Sequence, residues 1–531
     1  MRAALWLALC AGCLYQSSFA LLPLLITSEG SSPYAERRIR NGFGGLRLDH
    51  LEVALDHRIP RAQAIALGPE LAGSDFLQQR FAEALFPRLI DPNASYLLGK
   101  DGAPLAAIAP GKELRLAGPA APGQGALPEP SEADESAAAT LARVLATLLA
   151  FGALGWWILP GPAEAMLAAA VGAALVQTLA TVAQFPVFPF LVPLAGIGAL
   201  ALLIAFGRAS PVKRPGNDTL AFLALLSAIS LIPLFFPSLK WDSRSIWLFH
   251  AKAVFFRGFL PTELAASTTY AWTHFDYPPL FSAWMSAFSS GPSFSERAAQ
   301  TGFAALAAAL GLSLWRLARA RFGRQEGALL TVAVVLGISP LVTGGLADGP
   351  LLLALLVARL AFQNKEASLG MLGLLAASLM KTEGLLLSGL VALFTVPRSR
   401  AWLAFLPAFA FLAWAKWAGI QNNADGIQWV QVAANAGARL SQIAQAAFRY
   451  FRASFFLAGG LTAFLFAAIR APRSATLLAG AAFIFAMAVF LITPFDLSWH
   501  LGTAMERLLI HGAGFALLAA CEASLAGRRT A

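Results

Sequence analysis

The chain has 531 residues, of which 58% are hydrophobic and 13% charged, with a mean hydropathy of +0.65. That is too apolar for a water-soluble protein of this size, and it points to an all-α polytopic membrane protein. Lys and Arg number 39 against 29 Asp and Glu, a formal net charge of +10. In a soluble chain this would suggest nucleic acid; here the cations sit in short loops between apolar runs, where they report topology, and no nucleic-acid partner is expected. Cys10, Cys13 and Cys521 lie inside the first and last apolar runs, which argues against a disulfide framework or a zinc-thiolate site.

Residues 1–27 follow a basic start with an apolar run that lacks a convincing small-residue cleavage site. They are expected to be a retained transmembrane anchor, with a removed signal peptide as the alternative. Residues 28–137 are polar, then rich in Gly, Ala and Pro, and end in the acidic stretch Glu129 to Glu135; they read as a small extracytoplasmic α/β module plus linker. Within it, Phe76, Leu77, Phe81, Leu85 and Phe86 have helical spacing over 74–90. Tyr96 to Leu98 and Leu105 to Ile108, joined across Lys100-Asp101-Gly102, read as a β-hairpin.

Additional transmembrane helices are expected in 138–217, and the main membrane domain in 218–531. Apolar runs fall near 141–159, 163–183, 187–207, 219–237, 301–319, 328–346, 349–362, 401–418, 453–469, 475–492 and 507–526. With the first run they predict about twelve transmembrane helices. Segment 368–396 differs. Its two apolar arms flank Lys381-Thr382-Glu383-Gly384, and at ~1.5 Å per residue each rises only ~20 Å, so it reads as a short helical hairpin or broken helix.

With Arg2 placed in the cytoplasm, the basic loops carrying Arg208, Lys213, Arg214, Arg316, Arg319, Arg321, Arg324, Lys365, Arg398, Arg400, Arg470, Arg473, Arg528 and Arg529 all fall inside. The far side receives the module, the loop 238–300, the turn at Asp348, the hairpin tip, the loop 419–452 and the turn at Asp496. Arg439, Arg449 and Arg452 are exceptions, but they occur in a stretch whose Leu440, Ile443, Phe448 and Phe451 fall on roughly one helical face, as in a helix lying at the membrane surface with its cations at lipid phosphates.

Ionisable groups near bilayer depth are costly, so their positions are informative. In Trp241-Asp242-Ser243-Arg244-Ser245, Asp242 emerges into the long outer loop. It suits either a proton-accepting base or a helix N-cap, two readings of about equal weight. His250 and Lys252 follow. Later in the loop, His274 and Asp276 sit on a segment stiffened by Pro278 and Pro279, or are an ordinary surface turn. Asp348 precedes Gly-Pro between two helices, as a second acid or a turn residue. Lys381 and Glu383 are a local ion pair, a solvated turn or, for the lysine, a phosphate contact. In Asp496-Leu497-Ser498-Trp499-His500 through Arg507, the guanidinium suits bidentate phosphate binding or snorkelling to headgroups, and His500 suits phosphate polarisation or an interfacial position.

From about Asp218 onward the order of these elements resembles the membrane-embedded GT-C glycosyltransferases, the superfamily that includes protein O-mannosyltransferases and aminoarabinose transferases. Trp241-Asp242 with Trp247 and Lys252, then His274-Phe275-Asp276-Tyr277-Pro278, resemble the first outer loop of bacterial members. Asp348 resembles the second acidic position, and the Lys381-Glu383-Gly384 and Asp496-His500-Arg507 segments are similar to later ones. The resemblance covers roughly three fifths of the chain.

It implies transfer of a sugar from a polyprenyl-phosphate donor to a hydroxyl on a cell-envelope glycan, lipid or protein, with inversion, on the extracytoplasmic face of the inner (plasma) membrane. By position, Asp242 is then the general base and Asp348 an accessory acid. Arg507 and Lys381 clamp the leaving phosphate, and Lys252, His274, Asp276, Glu383, Asp496 and His500 serve binding. No metal ligand set stands out, no cofactor is certain, and a divalent cation stays open. The N-terminal module and the helices before residue 219 depart from the simplest family pattern. The alternatives are a transporter or flippase for a lipid-linked sugar, and a scaffold whose module does the binding.

Overall fold

The computed structural model describes residues 2–26, 63–109, 112–118, 136–156, 162–187, 217–238, 240–289, 294–395, 401–420, 423–470 and 473–529, with isolated positions between 46 and 59. These residues are mostly helical, with one small sheet near the N-terminus.

Six described helices are long and apolar enough to cross a bilayer: Ala163–Ala183, Asp218–Phe235, Glu296–Phe322, Arg324–Thr343, Ser474–Ile492 and Leu497–Ala526. A seventh appears if the pair Trp429–Ala453 and Phe455–Arg470, bent by 106°, counts as one span. Six or seven of the expected twelve are thus present among the described residues, and two further runs form shorter helices. The run 349–362 is a 16-residue helix, Asp348–Gln363, and 401–418 divides into a short 3-10 turn and the 12-residue helix Leu406–Trp417. Apolarity alone counted them as crossings. The runs 3–27 and 141–159 form Arg2–Ile26 and Ala137–Trp156, while the expected span 187–207, the acidic stretch 129–135 and the cations at 208–214 and 398–400 lie outside the described residues.

Asp348–Gln363 is apolar nearly all round and almost wholly buried, so it is a central column instead of a surface helix. It packs against Glu296–Phe322, Ala367–Met380 and Leu497–Arg529. Arg359 anchors its far end, donating to the Phe394 carbonyl at 2.8 Å, Thr395 Oγ1 at 2.7 Å and Ser474 Oγ at 3.1 Å. At that same end Arg316 pairs with Glu164 and Glu366, and Arg319 and Arg324 pair with Asp218. The bundle therefore gathers one set of charges at the foot of the column and a different set around Asp348 at its head.

The segment expected as a hairpin is one. Helices Ala367–Met380 and Thr382–Thr395 meet at Lys381, whose backbone is extended, and the Ser388 hydroxyl donates to the Leu374 carbonyl at 3.4 Å across the fold-back. Gly384 permits the close approach, because a Cβ there would lie 2.1 Å from the Ala377 carbonyl oxygen.

In the module, Ser74 caps the helix Asp75–Leu85 by accepting from the Leu77 N–H at 3.4 Å, and Phe81, Leu85 and Phe86 are buried. Strands β1 (Ala66–Leu67), β2 (Leu97–Gly99), β3 (Ala103–Ala109) and β4 (Lys112–Ala117) lie in the order β1-β2-β4-β3. The expected pairing of 96–98 with 105–108 is therefore corrected: β4 inserts between them and pairs antiparallel with both. Its alternation, with Leu114 and Leu116 buried and Glu113 and Arg115 exposed, supplies an apolar face that the centre of the sheet needs.

Candidate active site at the head of the bundle

Two features converge on Asp348. After the helix Asn217–Phe235 the chain makes an unusual π-helix, Asp242–Leu248, that continues into Phe249–Arg257. Such wide turns cluster at functional sites because they re-aim side chains. The turn before Asp348 is tied to this π-helix: the Ser238 hydroxyl donates to the Gly344 carbonyl, and Gly345, at φ +68°, leaves room for Ser243, whose Oγ would lie 2.1 Å from a Cβ. The first and second acids are thus carried on one packed unit.

The ion pairs run in a continuous chain. Arg507 donates to Asp242 Oδ2. The Arg507 guanidinium stands 3.9 Å from Asp348 Oδ2, the Lys381 ammonium donates to Asp348 Oδ1 at 3.2 Å, and the same ammonium is 3.2 Å from Glu383. Lys381 also stands 5.8 Å over the Tyr277 ring. Four parts of the sequence, near 242, 348, 381 and 507, therefore meet at one place. Asp348 and Lys381 are 1% and 4% exposed. Arg507 and Asp242 keep partial access to solvent, so the chain leads from the buried column outward.

The geometry gives these acids ion-pair partners in place of caps. Trp241 holds the cap position of the π-helix and makes no side-chain cap bond, while Asp242 commits its carboxylate to Arg507. Asp348 makes no helix-cap bond and is buried against two cations. Lys381 and Glu383 form the local ion pair, with the lysine buried instead of solvated.

An aromatic wall stands beside the ions. His274 stacks on Tyr277 with centroids 5.4 Å apart, Tyr277 stacks on Trp247 at 5.5 Å, and Trp241 meets the His274 ring edge-on at 6.4 Å. His274 adopts φ +54°, a backbone region uncommon for a residue with a side chain. Asp276 Oδ1 is 3.9 Å from His274 Nδ1 and has no hydrogen-bond partner among the described residues. Burial pushes the Asp276 carboxyl up to about 7, with repulsion from Glu383 and Asp425 adding to it. Burial likewise lowers His274 and takes His250 down to about 3, so neither imidazole readily takes a charge.

Three residues expected in binding roles make their bonds elsewhere. Lys252 donates to the carbonyls of Glu83 at 3.0 Å and Ala84 at 3.4 Å, so the apparent substrate cation is a link to the module. Asp496 caps the last helix, accepting from the Trp499 N–H at 2.8 Å. His500 Nδ1 lies 2.7 Å from Thr493 Oγ1, with the ring among Phe490, Phe495 and Trp499. A local turn or cap satisfies the last two, which leaves the ion-pair chain to the other residues.

His511 escaped the sequence reading. It is 1% exposed, one turn beyond Arg507 on the same helix face, and its Nε2 has no hydrogen-bond partner among the described residues. The i, i+4 spacing from Arg507 is the signal that would have found it.

Among the described residues no group of three or more His, Cys, Asp and Glu converges as a metal site. Asp242, Asp348 and Glu383 are each joined to a protein cation, so they fit a resident divalent ion poorly: it needs several open oxygen ligands. Two cavities, one among Leu226, Ala304 and Val335 and one beside Tyr270, Phe275 and Ile420, are lined by none of these acids or cations. No protein-family model matches the chain, and no curated protein or solved structure matches it.

Proposed function

We propose that the protein is a membrane-embedded glycosyltransferase of the GT-C kind, moving a sugar from a polyprenyl-phosphate donor to a hydroxyl on an envelope acceptor, at the extracytoplasmic face. The observation that carries this reading is the ion-pair chain Asp242–Arg507–Asp348–Lys381 at the head of the bundle, on the end opposite Arg316, Arg319 and Arg324. Those arginines belong to the loops assigned to the cytoplasm, so the chain of ion pairs faces the other compartment. The full complement of about twelve crossings belongs to this proposal.

The chemistry follows from the pairing. Arg507 occupies the carboxylate that would act as base. A polyprenyl phosphate reaching the guanidinium competes for it, since a phosphate accepts the same two-pronged donation. Asp242 is released as the donor is bound. The acceptor oxygen then attacks the anomeric carbon from the side opposite the phosphate, its proton passes to Asp242, and the carbon–oxygen bond to phosphate breaks with the electron pair leaving on the phosphate. Arg507 and Lys381 neutralise the charge that develops there, and the low-dielectric surroundings strengthen that attraction. Asp348 holds the two cations in place, and inversion follows from the single displacement.

The test incubates purified protein in lipid with a polyprenyl-phosphate sugar and envelope acceptors, following glycosylated acceptor and released polyprenyl phosphate together. Equal amounts of both are expected. The interrupted helix at Lys381 also suits a flippase, since transporters bind substrate at broken helices. Movement of intact donor across the bilayer with no transfer would establish that alternative.

A further inference from the structure

The module is fastened to the outer loop by buried polar contacts at one spot. Glu83, on the helix Asp75–Leu85, is 8% exposed. Its carboxylate accepts from the Ser245 hydroxyl at 2.6 Å and from Arg80 at 2.6 Å, and Arg244 approaches it at 3.8 Å. Ser245 and Arg244 belong to the π-helix that begins with Asp242. On the next turn, Lys252 donates to the last carbonyls of the same module helix, where the helix dipole favours a cation. The Trp241 indole N–H donates to Gln79 Oε1 at 3.2 Å, and the Ile90 N–H donates to the Tyr270 hydroxyl at 2.8 Å.

Apolar packing is shared in the same way. Phe81, Leu85, Phe86 and Leu98 of the module form one continuous core with Phe249, Val254, Tyr270 and Phe275 of the outer loop. The module is therefore not a tethered recognition domain with a core of its own; it completes the core of the loop that carries the first acid.

A specific consequence concerns Arg244. It lies two residues after Asp242, as Lys240 lies two residues before it, and is a cation within reach of the same stretch of chain. Glu83 and Glu296 each stand 3.8 Å from its guanidinium, and Asp242 pairs with Arg507. We infer that Glu83 is a positioning residue for the active site: by holding Ser245 and Arg244 it fixes the π-helix so that Asp242 faces Arg507 and the donor phosphate. The inference rests on the glycosyltransferase reading for its activity arm, but not for its structural arm.

The experiment uses the full-length protein in lipid nanodiscs, comparing wild type, Glu83→Gln, Glu83→Asp and, as a control on the exposed face of β4, Glu113→Gln. Amide hydrogen exchange is read over 243–248, and kcat and KM are read with a polyprenyl-phosphate sugar. Glu83→Gln is expected to raise exchange in 243–248 and to lower kcat about 10–100-fold with the donor KM little changed, since small misplacements of a reacting group cost that much. Glu83→Asp is expected to recover part of both, and Glu113→Gln to match wild type. Raised exchange with unchanged kcat would show a merely structural brace and overturn the inference; so would unchanged exchange. If wild type shows no transfer, the proposed function fails, and the exchange arm alone decides whether Glu83 fixes the Asp242 helix.

Discussion

Asp242 and Arg507, 265 residues apart in sequence, form a direct ion pair at the head of the helix bundle. A carboxylate bound to the residue proposed to hold the donor phosphate cannot act until that residue turns to the phosphate. On the proposed mechanism the pair would act as a guard, so that base and donor site become ready in one event.

Lys381 and Asp348 are a buried pair, and their contributions to stability and to activity separate. Removing one partner of a buried pair leaves the other charge uncompensated, at about 3–5 kcal/mol. Lys381→Met is expected to lower the unfolding free energy by that order, and the double variant Lys381→Met with Asp348→Leu to regain most of it. Transfer is expected to stay lost in both. Thermal unfolding in detergent, followed beside the transfer assay, checks this.

Gly384 is expected to tolerate no side chain. A Cβ would meet the Ala377 carbonyl oxygen at 2.1 Å, and the contact is to backbone, which cannot swing aside. Overpacking of this kind costs roughly 1–3 kcal/mol. Gly384→Ala is expected to open the hairpin and move Lys381 off Asp348, lowering both the melting temperature and transfer. Gly389→Ala on the same helix, where nothing stands within 4 Å, serves as the matched control and is expected to behave as wild type.

Asp276 predicts a pH dependence of defined sign. Burial raises its carboxyl in the folded state to about 7 from the ordinary value of 3.8, with Glu383 and Asp425 repelling its charge and His274 beside it. The folded protein therefore binds more protons than the unfolded chain between about pH 4 and pH 7, and this contribution is lost as pH rises through that window. His250, lowered by burial to about 3, acts in the opposite direction as pH falls below about 6.5. Comparison with Asp276→Asn removes only the first effect. Melting temperatures measured from pH 4 to pH 8 are expected to show wild type losing stability relative to the variant as pH rises.

His500 is expected to matter little for the donor. Its polar partner is Thr493 and its ring packs among aromatics, so His500→Phe is expected to keep donor KM near wild type. A tenfold rise in donor KM would return His500 to the phosphate site.

Much of the site was legible in the sequence because charge at bilayer depth is costly and therefore sparse. Asp242, Asp348, Lys381, Glu383 and Arg507 stand out for that reason, and they meet in the structure. The partners of Lys252 were not legible, because sequence shows a cation near an acid but not the carbonyls of Glu83 and Ala84, contributed from about 170 residues earlier. Those of Asp496 and His500 were not legible either, because caps and aromatic pockets use the same residue types as binding sites. Glu83 was invisible for a related reason, since its significance comes only from docking against Ser245. Hydropathy records how apolar a run is and not how long its helix becomes, which is why the expected crossing at 349–362 is the 16-residue helix Asp348–Gln363. Strand β4 shows the reverse: its alternation from Lys112 to Leu116 is a readable strand signal, and β4 pairs with both strands of the expected hairpin.

The central claim is that Asp242 takes the acceptor proton while Arg507 holds the donor phosphate. The most direct measurement is single-turnover transfer from a polyprenyl-phosphate sugar by wild type, Asp242→Asn, Arg507→Ala and the double variant. Asp242→Asn is expected to lower the rate by about 10²–10⁴-fold with donor still bound. Arg507→Ala is expected to lose about 10²–10³-fold with weakened donor binding, and the double variant to lose less than the product of the two. Transfer at the wild-type rate in both single variants would contradict the account.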